Sequence, residues 1–393
     1  MSRQLINRSP DLKRLRDEGY ELEIRSGHLL VHHVPYVNVR REIAYGTLVT
    51  PLGDLAGDRT ARPQDHVIHF IGEHPCDREG NIIGAIQHSS GRRKLAEDIE
   101  VDHSFSNKPT GGYADYYGKV TRYCRIISEQ AEAIDPSVRA QTYKVTEETD
   151  DPEAPFNYLD TNSSRAEIDA ISARFHSLNV AIIGLGGTGS YVLDFVAKTP
   201  VRQIHLFDGD LFHSHNAFRA PGAASLETLR AEPKKVLYLH GLYSRLKRRI
   251  VPHEYHITES NLAELSGMNF VFICADDENA KQPIIKYLLN ARISFIDVGM
   301  GIHEIDGRLT GALRVTTGTV GKHDHIESRI SFARGPAGEY DRNIQIAELN
   351  ALNAALAVIK WKKIVGMYHD LGKEMHASYD INVNKIFNDE IHP

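Results

Sequence analysis

The sequence predicts an α/β protein: a doubly wound, mainly parallel Rossmann-like sheet, preceded by a separate N-terminal α+β domain. Three observations predict it. An apolar run at 180–183 enters the glycine loop Gly184-Leu185-Gly186-Gly187-Thr188-Gly189, which opens a helix over 190–198. Beyond the loop, strand and helix patterns alternate to residue 298, and such alternation needs right-handed crossovers and a sheet covered on both faces. Ahead of it, residues 146–155 are acidic, carry prolines and have no periodicity, which places a boundary between domains of 1–150 and 160–393.

In the first domain a short helix near 11–19 leads to strands at 29–34 and 43–49. Residues 66–72 alternate as a strand does, 75–81 form a turn, and 82–86 read as the next strand. His66 and His69 take the polar positions of a half-buried strand, and no histidine falls into H-E-x-x-H or another ligand spacing. Over 114–134, Tyr117, Val120, Tyr123, Cys124 and Ile127 recur at helical spacing, so Cys124 faces inward as a small core residue. Cys76, on the turn beside His74, is the better thiol candidate, although nothing near it would lower its pKa.

The second domain opens on Ser164-Arg165-Ala166-Glu167, a capping box that would start a helix with Ile168, Ile171 and Phe175 on one stripe. Strands are expected at 180–183, 203–207, 255–257, 270–274 and 294–298, with helices at 191–197, 234–246 and 279–291. A strand at 309–315, a polar loop at 316–342 and one long helix at 344–368 complete the chain.

Composition bounds the function. With 393 residues and 41% hydrophobic content, the chain buries a large core in two or three domains. The net charge of −6 speaks against a nucleic-acid footprint, and Lys247-Arg248-Arg249 reads as the exposed end of a helix. No run approaches the ~18 apolar residues of a membrane helix, so the expectation is a cytoplasmic protein with no membrane partner. Cys76, Cys124 and Cys274 are too scattered for a disulfide framework or for paired zinc ligands.

The chemistry starts at the glycine loop. Glycines bring backbone N–H groups against a phosphate, and the helix start adds partial positive charge. Gly187, at a position free to vary in the dinucleotide pattern, would let nucleotide and substrate approach the backbone. The loop alone does not choose between NAD, FAD and ATP. Asp208 ends the second strand, where a Rossmann site places the acid that takes the ribose hydroxyls. A dehydrogenase would share this much. The residues that follow do not suit one: Asn216, Arg219, Lys235 at a helix start, and Asp276 at the carboxyl edge of the sheet. Two cations and a carboxylate suit a triphosphate, the cations holding phosphate oxygens and the carboxylate holding Mg²⁺. Asp210 would shape the loop, and Asn216 would orient backbone near the phosphates.

In order, Gly184 to Gly189, Asp208-Gly209-Asp210, Asn216-Ala217-Phe218-Arg219, Lys235-Val236 and Ala275-Asp276-Asp277 with Lys281 resemble the motifs of the ThiF/MoeB family, which includes the adenylation domains of ubiquitin-activating enzymes. The resemblance covers roughly 165 to 360. It implies ATP-dependent adenylation of a carboxylate, usually the C-terminal glycine of a ubiquitin-like protein, on a homodimeric or pseudo-dimeric scaffold. It also implies that Gly184, Gly186, Gly187, Thr188, Gly189, Asp208, Asp210 and Asn216 line the nucleotide. Arg219 and Lys235 would hold the triphosphate, Asp276 the magnesium, and Arg165 would reach the partner subunit's site. No protein nucleophile is needed, because the substrate carboxylate itself attacks the α-phosphate and expels pyrophosphate.

The sequence departs from the family in places. Relatives carry C-x-x-C pairs and a thioester cysteine in the segment that crosses the site, whereas 316–342 holds no cysteine. The adenylate would then pass to a separate, conjugating-type acceptor, or Thr317, Ser328 or His325 would serve as nucleophile or base; His323-Asp324-His325 reads as solvent-facing loop. Asp277 stands where asparagine is common and Lys281 where arginine is. The N-terminal domain resembles the extra region of ThiF-type proteins encoded beside bacterial ubiquitin-like proteins, a conjugating-enzyme-like or docking module. The rival readings are an NAD-dependent oxidoreductase, an inactive pseudo-activating scaffold, and a peptide-modifying enzyme of antibiotic biosynthesis that shares the adenylation step.

Overall fold

A computed structural model describes residues 2–53, 55–56, 59–145, 153–166, 168–330 and 344–388. The chain divides into two compact units, Met1–Thr146 with Thr161–Ala166, and Glu147–Asp160 with Glu167–Pro393.

The first unit begins with helices α1 (Ser2–Arg8) and α2 (Pro10–Asp17) and continues through β1 (Glu21–Arg25), β2 (His28–Val37), β3 (Ile43–Pro51), β4 (Leu55–Ala56), β5 (Arg59–Thr60), β6 (Val67–Ile71), β7 (Gln87–Ala96) and β8 (Ile99–Ser106). Six of these strands form one antiparallel sheet in the order β1-β2-β3-β6-β8-β7. Helix α3 (Tyr116–Ile134) starts where Asp115 accepts the Gly118 N–H at 2.7 Å. Its Tyr116, Val120, Tyr123, Cys124 and Ile127 share a core with Leu29, Val31, Leu48, Ile68 and Phe105. The opposite face carries a smaller cluster of Leu30, Val49, Ile99 and Val101.

That second cluster corrects the reading of His69. It lies in register beside Val49, is buried rather than half-buried, and burial pulls its pKa to about 4. The strand expected at 82–86 is also different: Ile82 makes an isolated bridge to Cys76, and Gly84–Ile86 is a 3-10 turn. The strand is β7 instead, exposed along most of its length and too polar to alternate.

Short helix α4 (Thr161–Arg165) belongs to the first unit, and α5 (Asp169–Ser172) with the 3-10 turn Ala173–Phe175 to the second. The single capped helix expected here is therefore broken. Ser164 lies inside α4 and donates its hydroxyl to Asp17, which removes it as a cap; Glu167 lies outside the described residues, as do 146–152 of the expected boundary.

The second unit runs β9 (Asn179–Ile183), α6 (Gly187–Ala197), β10 (Gln203–Phe207), α7 (Ser214–Ala217), α8 (Leu226–Arg230), α9 (Lys235–Tyr243), β11 (Ile250–His253), β12 (Phe270–Ile273), α10 (Glu278–Asn290), β13 (Ser294–Ile305), β14 (Arg308–Gly318), α11 (Ile326–Arg329), α12 (Ala347–Ile364), β15 (His376–Asp380) and β16 (Lys385–Asn388). The sheet order is β11-β10-β9-β12-β13-β14-β15-β16. Pairings from β11 to β13 are parallel, and those from β13 to β16 antiparallel.

Alternate residues of β9 serve two cores, as a doubly wound sheet requires. Val180 and Ile182 pack with Val192 of α6, Leu239 of α9 and Trp361 of α12, while Ala181 and Ile183 pack with Ile284 and Leu288 of α10. The strand expected at 255–257 lies at β11, where Pro252, which lacks an N–H, is tolerated on the sheet edge. β15 and β16 extend the sheet beyond the elements expected, and 331–343 of the polar loop lie outside the described residues.

Because β10 and β11 lie on one side of β9 and β12 and β13 on the other, the chain reverses direction across the sheet between β9 and β12. Open α/β sheets bind ligands at the carboxyl edge of such a switch point.

Candidate functional site

The glycine loop occupies that switch point. Gly184 has φ +85°, and a Cβ there would stand 2.7 Å from the Ala275 backbone nitrogen, so only glycine lets the end of β9 nest against the chain leaving β12. Gly186 caps α6 and faces open space, whereas Gly189 packs on the Gly184 carbonyl. Gly187 differs from expectation. A Cβ there would lie 2.1 Å from Asn350 Nδ2, so its missing side chain makes room for α12 rather than for a ligand. Thr188 turns the same way and donates to Asn350 Oδ1 at 2.9 Å.

Asp208 follows β10 and is buried. Its carboxylate accepts the Leu185 N–H at 2.7 Å and the Asp210 N–H at 2.9 Å, which ties the glycine loop to the neighbouring strand end. Lys235 is the first residue of α9, a position where the helix dipole disfavours a cation. It is nonetheless buried, because its Nζ lies 2.7 Å from Asp210 and 3.9 Å from Asp208. Burial works to raise the Asp210 pKa, but the Lys235 hydrogen bond and charge, with His256 and Lys234, outweigh it and hold the carboxyl below its usual value.

Asn216 lies in α7 and Arg219 on the turn that follows it, three residues on, where its N–H donates to the Asn216 carbonyl at 3.1 Å. Asn216 Oδ1 accepts the His213 N–H at 2.9 Å, closing a local cap, while its Nδ2 is buried with no partner. Arg219 Nε is likewise buried with no partner. Burial pulls the Arg219 pKa below its usual value, and the charge of Asp276, beyond the end of β12, works in the opposite sense. Two buried donors left unmet cost about 1–3 kcal/mol each. Anionic oxygens would satisfy both.

This donor set fits a nucleotide phosphate chain, with Gly186 open above the start of α6. The fit to magnesium is of the kind a nucleotide-borne ion needs. No group of three His, Cys, Asp or Glu side chains converges to hold a metal among the described residues, and Mg²⁺ is ordinarily held by one or two carboxylates plus phosphate oxygens and water.

Other sequence candidates lie elsewhere. Arg165 sits in α4 of the first unit, its guanidinium 5.9 Å over the Tyr143 ring. Thr317 is buried in β14, and Ser328 donates to the His325 carbonyl at 2.9 Å. His323 and Asp324 are exposed, but the His325 side chain is only 14% exposed and its Nε2 lies 3.0 Å from the Thr317 carbonyl, so it is not the solvent-facing residue expected. Cys76 is buried, and burial together with Asp77 and Glu73 pushes its thiol pKa up; burial does the same at Cys124 and Cys274.

Two features were missed by reading the sequence. Asn350 and Asn353 of α12 are fully buried, each with one amide atom bonded and the other unmet. Asp297 of β13, also fully buried, lies 2.8 Å from Lys281 and 2.6 Å from Arg314. Lys281 thus spends its charge inside the protein. A charged residue within the apolar run Ser294-Phe295-Ile296-Asp297-Val298 was the available signal.

Comparison with known proteins places both units. Residues 165–377 match the model of the ThiF family, and 10–161 match that of a domain of unknown function, DUF6791. Ubiquitin-like modifier-activating enzyme 5 of Drosophila virilis is 23% identical over 152 residues, 35% of this chain and 37% of that protein; the chain thus spans little more than a third of the relative it matches. The crystal structure of E. coli MccB with MccA-N7isoASN aligns with 58% of this chain and 71% of its own at TM-score 0.48 and 17% identity. E. coli MccB with ATP aligns with 57% of this chain and 66% of its own at TM-score 0.45 and 19% identity.

Proposed function

The chain belongs to the ThiF family, and from that premise we propose that it is an ATP- and Mg²⁺-dependent adenylyltransferase that activates the C-terminal carboxylate of a ubiquitin-like protein or peptide. The observation that carries this reading is the pair of unmet buried donors, Arg219 Nε and Asn216 Nδ2, in the same unit as the glycine loop and the buried Lys235. A nicotinamide dinucleotide has only a diphosphate bridge, with no γ-phosphate for such a set to hold.

In this reading the backbone at Gly184, Gly186 and Gly189 lies along the phosphates, and Asp208 accepts from the ribose with lone pairs its two backbone bonds leave over. Arg219 and Lys235 hold the triphosphate, Lys235 giving up Asp210 to do so. Asp276 would hold Mg²⁺, which would offset the negative charge of the phosphates. The substrate carboxylate attacks the α-phosphorus, the bond to the β-phosphate oxygen breaks, and pyrophosphate leaves with the electron pair. The residues contribute position and charge, and loss of one such stabiliser costs about 10²-fold in rate.

The state of the cysteines supports transfer without a thioester on this chain, since all three thiols have pKa values raised above normal. The acceptor would be a separate conjugating-type protein, with the N-terminal domain as docking module. A relative named as a ubiquitin-like modifier-activating enzyme supports the substrate class. Calorimetry tests the nucleotide. Mg²⁺–ATP binds the wild type, and Arg219→Ala weakens it by about 10²-fold; saturable NADH binding with no heat from ATP overturns the assignment.

A further inference from the structure

A cleft of about 530 Å³ opens in the N-terminal unit between α3 and residues 136–141. That volume falls within the usual range of ligand pockets. Ser128 of α3 lines it and is 1% exposed, yet its hydroxyl has no hydrogen-bond partner. A buried helical serine ordinarily bonds back to the carbonyl one turn earlier, and this one lines the cleft without that bond.

Four charges surround it: Arg125, Glu129 and Glu132 from α3, and Arg139 from the facing segment. Arg125 and Glu129 have the i, i+4 spacing that commonly pairs opposite charges on a helix. Even so, none of the four forms an ion pair or side-chain hydrogen bond among the described residues. Two cations, two anions and an unmet hydroxyl are complementary to a molecule that carries both charges and has amide groups between them. Arg125 and Glu132 are separated by seven residues, about 10 Å along the helix. An extended peptide of three residues spans about the same distance.

We propose that this cleft binds a free short peptide of about three residues. Its carboxylate lies at the guanidinium groups of Arg125 and Arg139, its ammonium at Glu129 and Glu132, and Ser128 bonds its main chain. The site requires neither the nucleotide nor the activity proposed above.

Titration calorimetry of the full chain with trialanine, in the absence of nucleotide, tests it. Saturable binding with Kd of about 1 mM or tighter is expected. Trialanine acetylated and amidated at its ends should bind at least about tenfold more weakly, because both charge-assisted contacts are lost. Arg139→Ala should weaken trialanine to a similar extent. Ser128→Ala should weaken it about fivefold while raising the melting temperature, since the variant removes an unmet buried hydroxyl. Absence of saturation, equal binding of the capped peptide, or unchanged affinity in Ser128→Ala or Arg139→Ala overturns the proposal.

Discussion

At the scale of single residues, the second unit holds charge where solvent cannot reach it. Lys247 is fully buried, its Nζ donating to the carbonyls of Thr199 and Val201 and lying 4.9 Å from the Phe156 ring centroid. Burial, with some help from Arg249, pulls its pKa to about 7 from the ordinary 10.5. Between those values the unfolded chain binds the proton that the folded chain has released, so stability rises with pH through the window and the full penalty applies below it. The wild-type melting temperature should therefore climb between about pH 7 and pH 8.5, and Lys247→Met should flatten that climb. The imidazoles of His69, which is buried, and His205, which is half-buried, both at about 4, act in a lower window. They stay neutral in the fold while the unfolded chain protonates, so stability falls as pH drops from about 6.5 toward 4, measurable as acid-side melting curves. At the candidate site, Arg219→Lys keeps the charge but cannot reproduce the Nε–H, and we expect ATP affinity to fall nearly as far as in Arg219→Ala.

At the scale of elements, α12 lies directly on the glycine-loop helix. Gly187→Ala drives a Cβ into Asn350 and should destabilise the unit by about 1–3 kcal/mol in denaturant unfolding. Asn350→Ala, by vacating the slot, should recover most of that loss in the double variant; additive losses would mean that the two do not share the space. This pair also shows what a sequence can and cannot disclose. The loop, Asp208 and the Asn216–Arg219 pair were legible because their spacing is local and chemically distinctive. Asn350 was not, since it meets Thr188 across 162 positions. The broken helix at 161–175 has the same cause, Ser164 being taken by Asp17 across 147 positions. β7 was missed because an exposed polar strand has no apolar alternation, and β11 was displaced because a proline counts against a strand unless that strand is known to be an edge. The strand alternation of β9, β10, β12 and β13, by contrast, follows from apolar runs that serve two cores at once.

At the scale of the whole molecule, Arg165 is carried by the unit that does not hold the glycine loop. In the homodimer proposed from the family resemblance, it would act on the partner subunit's site. Mixing equal amounts of an Arg165→Ala chain and an Asp276→Ala chain should then restore about a quarter of wild-type pyrophosphate exchange where neither variant alone has any, and no recovery would show that Arg165 does not act on the partner subunit's site. The order of the second unit's sheet explains why the residues proposed to hold phosphate come from separate stretches of chain: the crevice between β9 and β12 is where the sequence runs off in both directions, so every strand end beside it can lend a side chain.

The packing of α12 has one more consequence. Trp361, the sole tryptophan in the sequence, is fully buried against Phe175, Phe270 and Phe272. Its fluorescence is an intrinsic optical gauge of the nucleotide-binding half. A red shift on heating would time the melting of that half alone, and an ellipticity loss at constant emission would time the other.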